Sequence, residues 1–167
     1  MAGLQPLPVE QAHLEAARRW IASGAELFRR IPPAAPPMHL VCYGVVLDLD
    51  ARRVLLVDHR KARRLLPPGG HVDPGEDPST TVLRELREEL QLEARLLQDA
   101  PVFLTVTETV GLTAGHTDVT LWYAIDGRGF EPTTWDIEEF ADVRWVPFDA
   151  IPTLDVEPHL SRFLAKR

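Results

Sequence analysis

The sequence predicts an α/β fold: a mixed β-sheet covered by helices on both faces, with a helical extension at the N-terminus. Three observations predict it. β-Branched and aromatic-rich runs recur between residues 38 and 148, helical periodicity is confined to widely spaced segments, and no repeat or low-complexity tract interrupts the order. With 167 residues, 45% hydrophobic and 26% charged, the chain is long enough to bury a core of its own. Residues 1–37 are expected to form a helical arm with a Pro-rich connector, and 38–167 the main domain.

The arm comes first. From residue 9 to about 30, "VEQAHLEAARRWIASGAELFRR" repeats apolar residues at Leu14, Ala17, Trp20, Ile21, Leu27 and Phe28, the spacing of an amphipathic helix that Gly24 can divide. "IPPAAPP" at 31–37 cannot continue it, because proline lacks the N–H and clashes with the preceding turn, so it reads as a stiff connector that sets the arm off. An amphipathic helix needs a surface to bury its apolar face, and a homodimer contact is one candidate.

"MHLVCYGVVLDL" and "RVLLVDHR", separated by a turn, predict paired strands. Further strands are expected at 102–110, 118–126 and 142–148, a helix at about 77–90, and a last helix from Asp155 to Lys166. Cys42 and Tyr43 read as core packing within the first strand, and "HTD" at 116–118 as a turn into a later one.

A net charge of -7 and a pI near 5.3 oppose long-range attraction to duplex nucleic acid or an anionic membrane. A small phosphorylated ligand stays compatible, since local cations or a metal reverse the field inside one cleft. The single cysteine excludes an intrachain disulfide and a Cys-based zinc site. With neither a secretory leader pattern nor an apolar run of membrane-spanning length, a cytoplasmic protein is expected.

The chemistry concentrates in "GGHVDPGEDPSTTVLRELREEL", residues 69–90. Residues turn by about 100° per step in a helix, so Glu85, Glu88 and Glu89 share one face while Leu83, Leu86 and Leu90 take the opposite stripe. Arg84 and Arg87 are expected to point to other sides. Two carboxylates about 6 Å apart repel by roughly 3 kcal/mol at an effective dielectric of about 20. A hard divalent cation, which prefers oxygen ligands and substrate phosphates, relieves that repulsion. The glycines ahead of the helix allow close backbone approach.

This segment resembles the Nudix box, the signature of MutT-like hydrolases. Gly70, Glu76, Arg84, Glu85, Leu86, Glu88, Glu89 and Leu92 fall at its positions. Six of seven strictly specified types match, a chance on the order of one in ten million per window at average usage. Gln91 stands where the family has glycine. The flanking strands and the "VRWVPFDAIP" ending are also similar, over roughly residues 38–165.

The resemblance implies a Nudix α/β/α sandwich that hydrolyses a diphosphate bond in a nucleoside triphosphate or other nucleoside diphosphate derivative, using Mg²⁺ or Mn²⁺. It implies that Glu85, Glu88 and Glu89, with the Gly69 carbonyl, ligate metal, and that Arg84 pairs with Glu76 to fix the loop at Gly70 against the helix. A general base comes from the box or from Glu138 or Glu139 in "WDIEEFADVRW". Arg60 and Arg64, within "DHRKARRLLPP", are candidates to attract substrate phosphates, and His71 either contacts a phosphate or is a solvent-exposed loop residue. The alternative is a non-catalytic nucleotide-sensing module. "QDAPVFLTVTETV" shows neither the Gly-Pro pair of ADP-ribose enzymes nor the tyrosine of dinucleoside polyphosphate enzymes, which leaves a nucleoside triphosphate or modified nucleotide as the expected substrate.

Overall fold

The computed structural model describes residues 7–31 and 36–167; residues 32–35 of the Pro-rich connector lie outside the described residues. A helix α1 (Pro8–Ala22) is followed by strands β1 (Met38–Asp48), β2 (Arg53–His59), β3 (Arg64–Leu66) and β4 (Gly69–His71). Helix α2 (Pro78–Leu90) then leads to β5 (Arg95–Leu96), β6 (Phe103–Glu108), β7 (Thr117–Asp126), β8 (Phe140–Pro147) and the short helix α3 (Leu160–Leu164). Short 3₁₀ segments occupy Gly111–Thr113 and Phe148–Thr153.

The eight strands form one mixed sheet. β1 and β7 pair in parallel, with Cys42 opposite Leu121, and the other pairings are antiparallel. β1 is central because β7 runs along one side while β2 and β4 share the other. Side chains alternate along a strand, and here both faces are apolar. Cys42, Val46, Leu55, Val57, Tyr123 and Ile125 meet Val82, Leu86 and Leu90 of α2. Val45, Leu47, Val54, Leu56, Trp122 and Ala124 meet Ile151, Leu160 and Phe163 on the other side. The result is the α/β/α sandwich that the strand and helix pattern predicts.

Gly44 lets α2 come close to this sheet. A Cβ there would lie 2.8 Å from Val82 Cγ2 and 2.9 Å from Leu86 Cδ1, both side chains fully buried. The helix starts at Asp77, whose carboxylate accepts from the Ser79 N–H at 2.8 Å, with Pro78 in the first turn. It ends at Gln91, held left-handed at φ 54°, while the Leu92 N–H donates to the Leu86 carbonyl at 3.1 Å. That conformation costs a non-glycine residue about 1–2 kcal/mol, partly offset in glycine by its freer unfolded chain. Gln91→Gly is therefore expected to stabilise the protein by about 0.5–1 kcal/mol, read from denaturant unfolding.

The arm differs from expectation. Its helix stops at Ala22, and residues 25–31 carry no helix. Nor does it stand apart: Ala17 and Trp20 pack with Val119 against Leu27, Leu40, Leu104 and Val106. The Val106 N–H donates to His13 Nδ1 at 3.0 Å, the Leu40 N–H to the Leu27 carbonyl at 2.8 Å, and Lys166 pairs with buried Glu10 at 2.7 Å. The chain's own sheet thus covers Ala17 and Trp20 of the apolar face that suggested a dimer contact, while Ile21 stays exposed. The C-terminal helix is shorter than its expected span of 155–166, because Glu157 folds back to accept from the His159 N–H.

Candidate functional site: an acidic cleft over the sheet

A cleft of about 390 Å³ opens above β1 and β4, bounded by α2, the segment before β8 and the start of β7. Glu85 and Glu89 line it. Glu85 lies against Gly70, where an added Cβ would fall 2.5 Å from its carboxyl carbon. At Gly69 a Cβ would overlap the Cys42 carbonyl. Gly69 is therefore needed for β4 to pass beside β1, and Gly70 lets the Glu85 carboxyl lie directly against the strand.

Glu89 is 6% exposed, and its Oε2 is buried without a hydrogen-bond partner. Burial, followed by the charges of Glu85, Glu139 and Asp136, pushes its carboxyl up to about 9, while the Gly69 N–H opposes the shift. Burial also raises Glu85, against the pull of Arg84. An orphaned buried carboxylate oxygen beside a second carboxylate is a costly arrangement for an empty site and suits an oxygen-seeking divalent cation.

Arg84 organises the rest, and not as its helical angle suggests. Its Nε and NH2 each donate to Glu76 at 3.0 Å, and NH1 donates to Glu85 at 3.0 Å and to Glu88 at 3.2 Å. It therefore does not point away from the acidic face. Thr81 Oγ1 donates to Glu76 at 2.7 Å, tying the loop to the first turn of α2. The Arg84 bonds, with the Thr81 bond, hold the Glu76 carboxyl down to about 2. Glu88 stands apart from its two partners: its side chain is 55% exposed and it does not line the cleft.

The two later glutamates separate. Glu139 lines the cleft, with Oε1 3.4 Å from His59 Nε2. His59 Nδ1 accepts from the Lys61 and Ala62 N–H groups at 3.3 and 3.4 Å, so its proton sits on Nε2, facing Glu139. That hydrogen bond lowers the Glu139 carboxyl despite its partial burial. Glu138 is exposed and outside the cleft, because the turn capped by Asp136 directs it to solvent.

The two arginines are engaged elsewhere on the protein. Arg60 donates to the Ile137 carbonyl at 2.9 Å and Arg64 pairs with Asp155 at 2.8 Å, and neither lines the acidic cleft. The cations that do, besides Arg84, are Lys61 and, from the arm, Arg29.

His71 belongs to β4 rather than a solvated loop. It sits opposite Val41, with Nε2 3.2 Å from His39 Nε2, and burial pushes it down to about 3. His39, His116 and Asp118 gather beside it. Sequence reasoning places "HTD" in a turn; the parallel register that sets His39 opposite Asp118 joins residues far apart in the chain and is invisible locally.

Comparison with known proteins agrees with this geometry. The NUDIX domain family model matches residues 38–166. A search of curated proteins finds no match. Among solved structures, a NUDIX-family hydrolase from Clostridium perfringens is 22% identical, with a TM-score of 0.58 over 77% of this chain and 92% of that one. The E. coli dihydroneopterin triphosphate pyrophosphohydrolase is 15% identical, with a TM-score of 0.63 over 84% and 97%. A C. elegans Ap4A hydrolase is 20% identical, with a TM-score of 0.59 over 77% and 91%. At these identities the likeness is one of fold, while the family model spans most of the chain, and the protein belongs to the Nudix hydrolase family.

Proposed function

We propose that the protein is a Mg²⁺- or Mn²⁺-dependent pyrophosphohydrolase that cleaves a diphosphate bond in a nucleoside triphosphate or another nucleoside diphosphate derivative. The observation that carries the reading is the buried, partnerless Oε2 of Glu89 beside Glu85, in a cleft of nucleotide size. Glu85 and Glu89 would hold the ion, with the Gly69 carbonyl and Glu88 as further ligands. When bound, the ion supplies Lewis-acid stabilisation of phosphoryl charge and lowers the pKa of water.

The chain's own groups do the rest. Glu139, kept ionised by the Nε2–H of His59, accepts the proton of the attacking water. Lys61 and Arg29 attract the phosphates in an otherwise acidic protein. Arg84 and Glu76 touch no substrate; they hold the loop so that Gly70 and Glu85 stay in contact. The intact set of box carboxylates favours turnover over a binding-only module. A single cysteine, with no partner for an intrachain disulfide, fits a reducing, cytoplasmic setting. No helix among the described residues is long and apolar enough to cross a membrane.

The test is a panel of nucleoside triphosphates, nucleotide sugars, ADP-ribose and dinucleoside polyphosphates with Mg²⁺, with product analysis to locate the cleaved bond. Turnover of a triphosphate is the expected result. Saturable binding of a nucleotide with no turnover of any substrate would replace the enzyme with a sensing module.

A further inference from the structure

The cleft carries a second group of ligating atoms that hydrolysis by the box carboxylates does not use. His39 from β1, His71 from β4, and His116 and Asp118 at the start of β7 place one donor atom each within 4.8 Å of all the others. His39 Nε2 is 3.2 Å from His71 Nε2 and 3.4 Å from Asp118 Oδ1, and His116 Nε2 is also 3.4 Å from Asp118 Oδ1. Bonds of about 2.0–2.1 Å in a tetrahedral site set ligand–ligand edges of about 3.3–3.4 Å. Two of the observed separations are already that length, and the His39–His71 one is slightly shorter.

The supporting contacts point the same way. His39 Nδ1 lies 2.9 Å from the Pro36 carbonyl, so Nδ1 carries the proton of the neutral ring and the Nε2 lone pair faces His71 and Asp118. His116 Nδ1 lies 3.3 Å from Thr109 Oγ1, which leaves Nε2 turned inward. Such outer hydrogen bonds are what orient imidazoles around a metal. Asp118 Oδ1 is buried without a hydrogen-bond partner although two ring nitrogens stand 3.4 Å away. Contacts too long to be good hydrogen bonds, yet of tetrahedral-edge length, are accounted for by an atom between them.

We propose that His39, His71, His116 and Asp118 form a transition-metal site, of the Zn²⁺ class, in the wall of the cleft and separate from the box carboxylates. Three imidazoles and one carboxylate suit zinc and its first-row neighbours; Mg²⁺ and Mn²⁺ favour all-oxygen shells such as that at Glu85 and Glu89. His71, His116 and Asp118 line the cleft, while His39 is fully buried behind them. Arg29 stands in the same cleft, so an ion there would present, together with Arg29, a positive wall to an anionic ligand.

The competing account is a stack of neutral histidines: His39 and His116 lie 4.7 Å apart at 27°, and His39 and His71 4.9 Å apart. Metal binding separates the two. Full-length protein stripped with chelator is titrated with Zn²⁺ in excess Mg²⁺, and with Co²⁺ as a spectroscopic reporter. The expected result is one Zn²⁺ per chain and intense visible Co²⁺ bands of tetrahedral character. His71→Gln and Asp118→Asn should each weaken Zn²⁺ by about 100-fold or more, beyond the 10–100-fold typical of outer-shell losses. Glu89→Gln should leave Zn²⁺ affinity within about threefold.

No Zn²⁺ binding in excess Mg²⁺ overturns the proposal. So does binding that survives His71→Gln and Asp118→Asn but disappears in Glu89→Gln, since the ion would then sit on the box. Thermal melts of the stripped variants establish that each is folded before its affinity is read. His116→Gln serves in place of either variant that is not. Because the readout is metal affinity, the result stands apart from whether the substrate panel is turned over.

Discussion

Glu89→Gln is expected to lower kcat with Mg²⁺ by about 10³-fold or more, measured on whichever panel substrate the wild-type protein turns over best. The amide keeps the shape and can still accept the Gly69 N–H, but it removes the negative charge that a divalent ligand requires. Stability should move the other way. In wild-type protein without metal, Glu89 is buried among Glu85, Glu139 and Asp136, which raises its folded pKa to about 9 from 4.5. A raised folded pKa means that stability is fully present below about pH 4.5 and is lost as pH climbs toward 9. In chelator at pH 8 the variant should therefore melt above wild type, and the gap should close toward pH 4.5. A variant with wild-type turnover would remove Glu89 from the metal site.

Arg84→Ala is expected to destabilise the protein by about 3 kcal/mol in denaturant unfolding at pH 7, because it strands Glu76 and the partly buried Glu85 without their cation. The Glu76 part has a defined pH window. Its carboxyl is lowered from 4.5 to about 2, chiefly by the Arg84 hydrogen bonds, so the stabilisation is present above about pH 4.5 and is lost as pH falls toward 2. The difference between wild type and Arg84→Ala should shrink over that interval. Lysine is a poor substitute, because one ammonium cannot reproduce a fork that reaches Glu76, Glu85 and Glu88 together.

Most of the sheet and all of α2 are legible in the sequence because their signals are local. A run such as residues 38–48 carries its own periodicity, and the Asp77 cap and Pro78 mark where the helix starts. β3, β4 and β5, of two or three residues each, are not legible. They exist only through pairing with β2, β1 and β7, and nothing within them announces a strand. His71 reads as a loop residue for that reason.

Arg84 is misplaced for a different reason. A helical wheel gives the direction of the Cα–Cβ bond, whereas a long side chain can bend along the surface to a neighbour one or four residues on. Arg84 does both, reaching Glu85 and Glu88. Arg60 and Arg64 lie outside the cleft, and their partners, Ile137 and Asp155, are more than seventy positions away in sequence, beyond a local reading. The grouping of His39 with Asp118 depends on the parallel register of β1 and β7, which becomes known only with the topology.

The anchoring of α1 bears on where the folded unit begins. The family match starts at residue 38, yet Trp20 fills a socket of Leu40, Leu104 and Val106, and Arg29 supplies part of the cleft wall. A truncation made at the boundary of shared ancestry would leave a greasy scar on one flank of the sheet and a wider, less positive mouth. Residues 8–29 are thus built into the folded unit rather than a handle attached to it.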